Sequence, residues 1–369
     1  MKTIYKLLFI AFFFLVINQT NVFAQGCVAI RSTGGLCTMD AHPDSSVKNG
    51  EWLFNSNTRY FKSFRHFVGK MEQYQRIDQL HNNVINKVVT QDFTFTRIFN
   101  DRWSIALDIP FADNSRSSVA KTLPNGTRYS THSSGLGDIR ATGYYWLFNP
   151  AKVHKGNIQV GLGMKFATGS YNYQDYFLQP DGTKLLGPVD QSIQLGDGGT
   201  GVSLELNAYY NFTHKFGLYA NYFYLANPRD VNGTPRSAGT PDPKAVAVTS
   251  DVQSVPDQML VRGGASLAVG KFDFSAGARY DLLPVRDLFG NSDGFRRPGR
   301  IVSAEPGVTY RFKKIAIYGF FPIAIIRDRT QSVPDLRTTA NNASTTGAIA
   351  HGDAAFADYV VNIGLTVKF

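Results

Sequence analysis

Long apolar runs and cysteine are both scarce in this 369-residue chain, and each scarcity excludes a class of protein. Beyond residue 24 no stretch holds 18 consecutive apolar residues, and the mean hydropathy is −0.17, so a bundle of membrane-spanning helices is excluded. Two cysteines cannot frame a disulfide-rich scaffold. No C-x-x-C, H-E-x-x-H or phosphate-binding glycine loop occurs, so neither a metal nor a cofactor is expected. Acidic residues are outnumbered by basic ones, 28 against 38, for a formal charge of +10. The excess is scattered over loops and strand ends, which argues against a nucleic-acid partner and leaves anion attraction as a minor reading.

What is present begins with a cationic start, Met1 to Lys6, an apolar run from Leu7 to Ile17, and small residues leading to Ala24. These are the three parts of a secretory signal peptide cleaved after Ala24, and the run is too short to cross a bilayer as a helix. Loss of Lys2 and Lys6 lowers the formal charge to +8. The expected product is therefore exported, with a periplasmic segment over 25–50. In an oxidising compartment Cys27 and Cys37 are expected to pair as a local staple. A redox or metal reading finds only His42 nearby.

From residue 51 onward, alternation with period two dominates. In 103–111 Trp103, Ile105, Leu107, Ile109 and Phe111 alternate with Ser104, Ala106, Asp108 and Pro110. In 201–212 Val202, Leu204, Leu206, Ala208, Tyr210 and Phe212 oppose Ser203, Glu205, Asn207, Tyr209 and Asn211. Strands are predicted near 52–69, 87–99, 103–111, 136–148, 156–168, 201–212, 216–226, 259–270, 271–282, 300–312, 315–326 and 355–369. Their connections alternate strictly between tight turns and links of about 17 to 32 residues. A soluble sandwich has no reason for that rhythm, whereas a transmembrane antiparallel β-barrel of about 12 strands has short turns on one rim and long extracellular loops on the other. The long links are rich in Gly, Pro, Asn, Asp and Ser and read as irregular backbone.

The ending Tyr359 to Phe369 fits the same solution. Tyr359, Val361, Ile363, Leu365, Val367 and Phe369 share one face, and hydrocarbon is the solvent that rewards it. Because an unsatisfied backbone group in lipid costs several kcal/mol, the last strand must run to its end and close on the first. Asn362, Gly364, Val367 and Phe369 resemble the assembly signal of outer-membrane proteins, which makes the barrel assembly machinery and outer-membrane lipids the expected partners. Eight aromatics near strand ends, Tyr144, Tyr145, Trp146, Tyr209, Tyr210, Phe212, Tyr222 and Tyr224, divide between interface girdles and the interior.

The opposite face carries the chemistry. Asp92, Asp108, Asp138, Arg140, Glu205, Arg262, Asp273, Arg279, Asp281 and Glu305 are directed inward, where they either line a wet passage or tie a filled lumen with salt bridges. Gly161, Gly163, Gly264 and Gly277 on that face leave space for a passage. His132 and Ser134, two apart, suggest a nucleophile and base, which need a third group to hold them, but the pair lies in a Ser-rich loop and not on a strand, and no enzyme is expected.

Three glycine-rich segments carry a family resemblance: "SGLGDIRATGYYWLF" (134–148), "GNIQVGLGMKFATGSYN" (156–172) and "IQLGDGGTGVSLELNAYYNF" (193–212). Their succession resembles that of the outer-membrane transporters named for the meta-pathway of phenol degradation, distantly related to long-chain fatty-acid channels. It covers roughly 130–225 well, and its carried-over positions are Asp138, Lys165, Thr168 and Gly169. The resemblance implies passive or facilitated uptake of a small apolar or aromatic solute. Candidate solute contacts in the lumen are Asp138, Arg140, Lys165, Glu205, Arg262 and Arg279. A barrel-embedded hydrolase and a structural barrel with a closed lumen are the alternatives.

Overall fold

The alternation becomes a closed wall in the computed structural model, which describes residues 50–119, 126–179 and 181–369. In chain order the strands are β1 (Trp52–Val68), β2 (Met71–Glu72), β3 (Ile85–Ile98), β4 (Trp103–Val119), β5 (Arg128–Leu136), β6 (Arg140–Trp146) and β7 (Gly156–Lys165). There follow β8 (Gln174–Leu178), β9 (Lys184–Pro188), β10 (Gly201–Asn211), β11 (Phe216–Ala226), β12 (Val231–Pro235), β13 (Val252–Ser254) and β14 (Gln258–Val269). The last are β15 (Phe272–Leu283), β16 (Gly299–Phe312), β17 (Ile315–Phe320), β18 (Ile323–Asp328), β19 (Ala354–Ala357) and β20 (Val361–Lys368).

Hydrogen-bonded neighbours run β1-β3-β4-β6-β7-β10-β11-β14-β15-β16-β17-β20 and return to β1, so twelve antiparallel staves close with no open edge. Closure is what a sheet in lipid requires, because every ladder group finds a partner within the wall. At the seam Leu53 faces Lys368 and Tyr60 faces Val361. The terminal residue takes part: Trp52 N donates to Phe369 O at 2.9 Å and Phe369 N returns the bond at 3.0 Å.

Side chains sort by parity. Leu162 is 64% exposed and Ile363 51%, while Glu205 and Asp281 are fully buried. Polar side chains inside and apolar ones outside invert the soluble pattern, as expected when the exterior solvent is hydrocarbon. Of the eight aromatics, Tyr145, Tyr210, Phe212, Tyr222 and Tyr224 lie on the outward register, and Tyr144, Trp146 and Tyr209 on the inward one.

The twelve staves lie where alternation placed them, but several boundaries differ. β4 continues to Val119, well past 111, because Asn114 and Arg116 find polar partners above the lipid boundary. The expected loop 112–135 is therefore largely an extension of the wall, with β5 paired to β4. The stave expected at 136–148 breaks at 137–139, where three residues leave the ladder between β5 and β6. Those at 315–326 and 355–369 break at 321–322 and 358–360.

The long links are also less irregular than their composition suggests. β8 pairs with β9 and β12 with β13, and the helix Val333–Asn342 stands in the last link. That helix is started by a reciprocal cap: Ser332 Oγ accepts from Asp335 N, and the Asp335 carboxylate accepts from Ser332 N. These links are joined by hydrogen bonds from Gln191 Nε2 to Ser254 O at 2.9 Å and from Gln253 Nε2 to Val189 O at 3.3 Å, and with Val189, Ile193 and Val255 buried they form a folded cap above the lumen. The signal peptide, the Ala24 cleavage point, the segment 25–49 and the Cys27–Cys37 pairing lie outside the described residues.

Candidate functional site

β1, β3, β4, β6, β7, β10, β11, β14, β15 and β16 all project polar side chains into the lumen, and these meet in three groups. The lowest is a belt across mid-barrel. Gln159 Oε1 accepts from Asn207 Nδ2 at 3.3 Å, and Asn207 Oδ1 accepts from Asn221 Nδ2 at 2.8 Å. Arg262 Nε donates to Asn221 Oδ1 at 2.7 Å and its Nη1 to Glu305 at 3.2 Å. Arg279 lies 3.7 Å from Glu305 and forks onto Asp281 at 2.8 and 2.9 Å. Arg262 also stands over the Tyr219 and Phe320 rings.

One step toward the extracellular side, Arg140 lies 3.4 Å from Glu205 and 3.8 Å from Asp108, with its guanidinium over Phe223. The Tyr144 hydroxyl donates to Glu205 at 2.7 Å and the Thr94 hydroxyl to Asp108 at 2.9 Å. Buried charges of this kind are tolerable only when paired and hydrogen-bonded, since the desolvation cost is several kcal/mol per ion.

The third group explains the glycine-rich motifs. Lys165 is ion-paired with Asp197 and lies 3.7 Å from Asp138. Asp138 accepts from Gly169 N at 3.0 Å and from Asp197 N at 3.1 Å. The Thr168 hydroxyl donates to Gly137 O at 2.8 Å and accepts from Ile139 N at 2.9 Å. A Cβ on Gly196 would stand 2.5 Å from Asp138 Oδ1, and one on Gly169 would stand 2.8 Å from Leu195 O. The motifs thus knot three chain segments where the wall breaks at 137–139, and only glycine permits that approach.

Beside the knot and above Arg140 lies a cavity of about 130 Å³, room for several waters. Its wall mixes Phe61, Val88, Phe223 and Leu225 with Arg59, Arg140, Lys165 and Arg297. Above it, Arg297 forks onto Asp190 at 2.7 and 2.9 Å, and Arg116 approaches Asp190 at 3.3 Å. Burial pushes the Asp190 carboxyl up, but Arg116 and Arg297 outweigh it and hold the group well below the usual carboxylate range.

All six lumen candidates face the interior. Asp138 and Lys165 sit together in the knot, Arg140 and Glu205 together below it, and Arg262 and Arg279 share Glu305 in the belt. Asp138, Arg140 and Lys165 line the cavity. The inward glycines do not leave free space beside them: a Cβ at Gly161 would meet the Tyr144 ring at 2.7 Å, and at Gly264 and Gly277 the Tyr219 hydroxyl at 2.8 and 2.7 Å. Aromatic side chains occupy the space at these three, and the Ser203 and Thr142 hydroxyls, each 2.5 Å from a Cβ, occupy it at Gly163. His132 and Ser134 lie on β5, a strand and not a loop, both exposed and on the same side; His132 Nδ1 is 3.7 Å from Asp175. Asp190, Asp197, Arg116 and Arg297 escaped the sequence reading. Asp197 was signalled by its place in "LGDGG", whereas Arg116 lies in the unforeseen extension of β4 and Arg297 in a link without periodicity.

With this geometry in hand, a search of solved structures finds the COG4313 outer membrane channel from Pseudomonas putida F1, at a TM-score of 0.56 and 9% identity over 88% of this chain and 97% of that one. The fold is that of an outer-membrane β-barrel. The CymD monoaromatic hydrocarbon channel matches at a TM-score of 0.43 with 12% identity over 95% of this chain and 99% of that one. The Pseudomonas putida toluene transporter TodX has a TM-score of 0.43 and 8% identity over 94% and 96% of the two chains. Both scores are too low to add to the fold comparison. No family model and no curated protein matches the chain.

Proposed function

We propose that this barrel is an outer-membrane channel for passive or facilitated uptake of a small solute. The observation that carries the reading is the cavity in the extracellular half of the lumen, polar and apolar at once, beneath a folded cap. Small-molecule sites typically combine an apolar wall with a few placed polar groups. The name of the structural neighbour at TM-score 0.56, an outer membrane channel, supports the same class. An apolar or aromatic body for the solute agrees with Phe61, Val88, Phe223 and Leu225 in the wall and with the family resemblance of the glycine-rich segments.

The reading includes export in a Gram-negative bacterium, cleavage near Ala24, pairing of Cys27 with Cys37, and insertion by the barrel assembly machinery through Asn362, Gly364, Val367 and Phe369. Asp138, Arg140, Lys165, Glu205, Arg262 and Arg279 are its proposed lumen contacts. It assigns no catalytic role to His132 and Ser134, so Ser134→Ala is expected to leave solute flux unchanged. The test is planar-bilayer recording and liposome swelling with the refolded barrel. Solute flux above that of empty liposomes supports the channel. The paired belt favours a second reading, a structural barrel with a closed lumen, which requires that neither current nor flux appears.

A further inference from the structure

The mouth above the cavity gathers several arginines. Arg116 and Arg297 share the Asp190 carboxylate, Arg236 lies beside Arg297 on the Phe295 ring, and the neighbouring Arg329 has its own partner in Asp335 at 3.2 Å. Arg236 makes no ion pair among the described residues; its Nη1 donates to Ser250 Oγ at 3.3 Å, and its guanidinium stacks 4.1 Å from the Phe295 ring. Arg297 stacks on the same ring at 4.6 Å and lines the cavity below, as do Gln191 and Ser192. Burial lowers the Arg236 pKa and the adjacent Arg297 lowers it further, while Asp190, Asp335 and Asp242 act weakly in the opposite direction. Arg236 lies against Arg297 with Asp335 and Asp242 acting from farther off, so an anion joining Arg236 to its neighbours would relieve their mutual repulsion.

We infer that Arg116, Arg236 and Arg297 form a docking site for the carboxylate of a small organic acid whose apolar body enters the cavity between Phe61, Val88, Phe223 and Leu225. The bidentate grip of Arg297 on Asp190 demonstrates in the protein itself that this cluster accepts a planar carboxylate. The Phe295 ring, in contact with both guanidinium groups, holds Arg236 and Arg297 in place at the entrance. Phosphate would satisfy the charge but not the apolar wall. A neutral hydrocarbon would satisfy the wall but leave the arginines as they are.

This names the solute class of the proposed channel and rests on that reading for transport, but the site can be tested without transport. Benzoate, benzyl alcohol and inorganic phosphate serve as probes for equilibrium dialysis against the refolded full-length barrel in detergent, and in parallel for liposome flux. Benzoate is expected to bind at least about tenfold more tightly than benzyl alcohol or phosphate, the scale of one charge-assisted hydrogen bond. Arg236→Gln is expected to weaken benzoate binding about tenfold, with partial recovery in Arg236→Lys and unchanged heat resistance of the barrel. Should Arg236→Gln misfold, the same comparison is made with Phe295→Leu, which keeps every charge and removes the ring that positions Arg236 and Arg297. Equal binding of benzoate and benzyl alcohol overturns the inference, as does a phosphate preference or benzoate binding unaffected by both variants. Benzoate binding without flux of any probe keeps the site and overturns the channel.

Discussion

The belt across mid-barrel and the mouth above the cavity use the same side chains to opposite ends. In the belt Arg262 and Arg279 meet Glu305 and Asp281, two cations with two anions. At the mouth Arg116 and Arg297 share Asp190, and Arg236, stacked with Arg297 on the Phe295 ring, makes no ion pair among the described residues. Balanced, buried and mutually hydrogen-bonded charges brace the barrel wall across its lumen. Unbalanced charge at a cavity entrance is an invitation to a ligand. Charge balance, more than charge content, separates bracing from binding here.

Four changes sharpen or break that comparison. Glu305→Ala should have the largest effect, because both arginines of the belt lose a shared partner while remaining buried; a loss of about 3–5 kcal/mol is expected, read by urea unfolding in lipid vesicles. A wild-type unfolding curve would show that the belt contributes nothing to bracing. Gly196→Ala comes next: with the new methyl crowding Asp138 and Gly169, a cost of about 1–3 kcal/mol should loosen the knot, seen as faster proteolysis of the 169–200 link with the barrel intact. Arg297→Gln should weaken the mouth by about 1–3 kcal/mol, the cost of leaving Asp190 short of a partner, visible as a changed conductance with unchanged urea resistance.

The smallest effect concerns pH. The folded value of Asp190 is depressed, so the stabilisation of the Arg297 clasp is fully present above the ordinary carboxylate value near about 4 and is lost as pH falls through the folded one. Conductance should therefore be flat from pH 7 to 5. A midpoint inside that window would mean that another group governs the mouth.

Much of the wall was legible beforehand. Trp103 to Phe111 and Val202 to Phe212 advertise their faces by alternation alone, since each residue meets either hydrocarbon or the lumen. β4 beyond 111 was not legible, because Asp113 and Ser115 face outward above the membrane, where nothing demands an apolar residue. The helix Val333–Asn342 was hidden for a related reason: it is short, and its cap, Ser332 with Asp335, resembles ordinary loop chemistry. Among the lumen candidates, sequence parity gave the inward direction of Glu205 and Arg262. It could not say that Glu205 meets Arg140 from another stave or that Arg262 shares Glu305 with Arg279.

The sequence by itself determined a barrel, its strand number and which side chains face lipid, because those depend on a residue's neighbours one and two places away. Only the tertiary structure decided which inward charges are partners, that Tyr144 and Tyr219 fill the space at Gly161, Gly264 and Gly277, and that Asp190 and Arg297 meet across the cap. Those outcomes depend on register and loop packing between residues distant in the chain, and the distances that set their electrostatics exist only once the wall has closed.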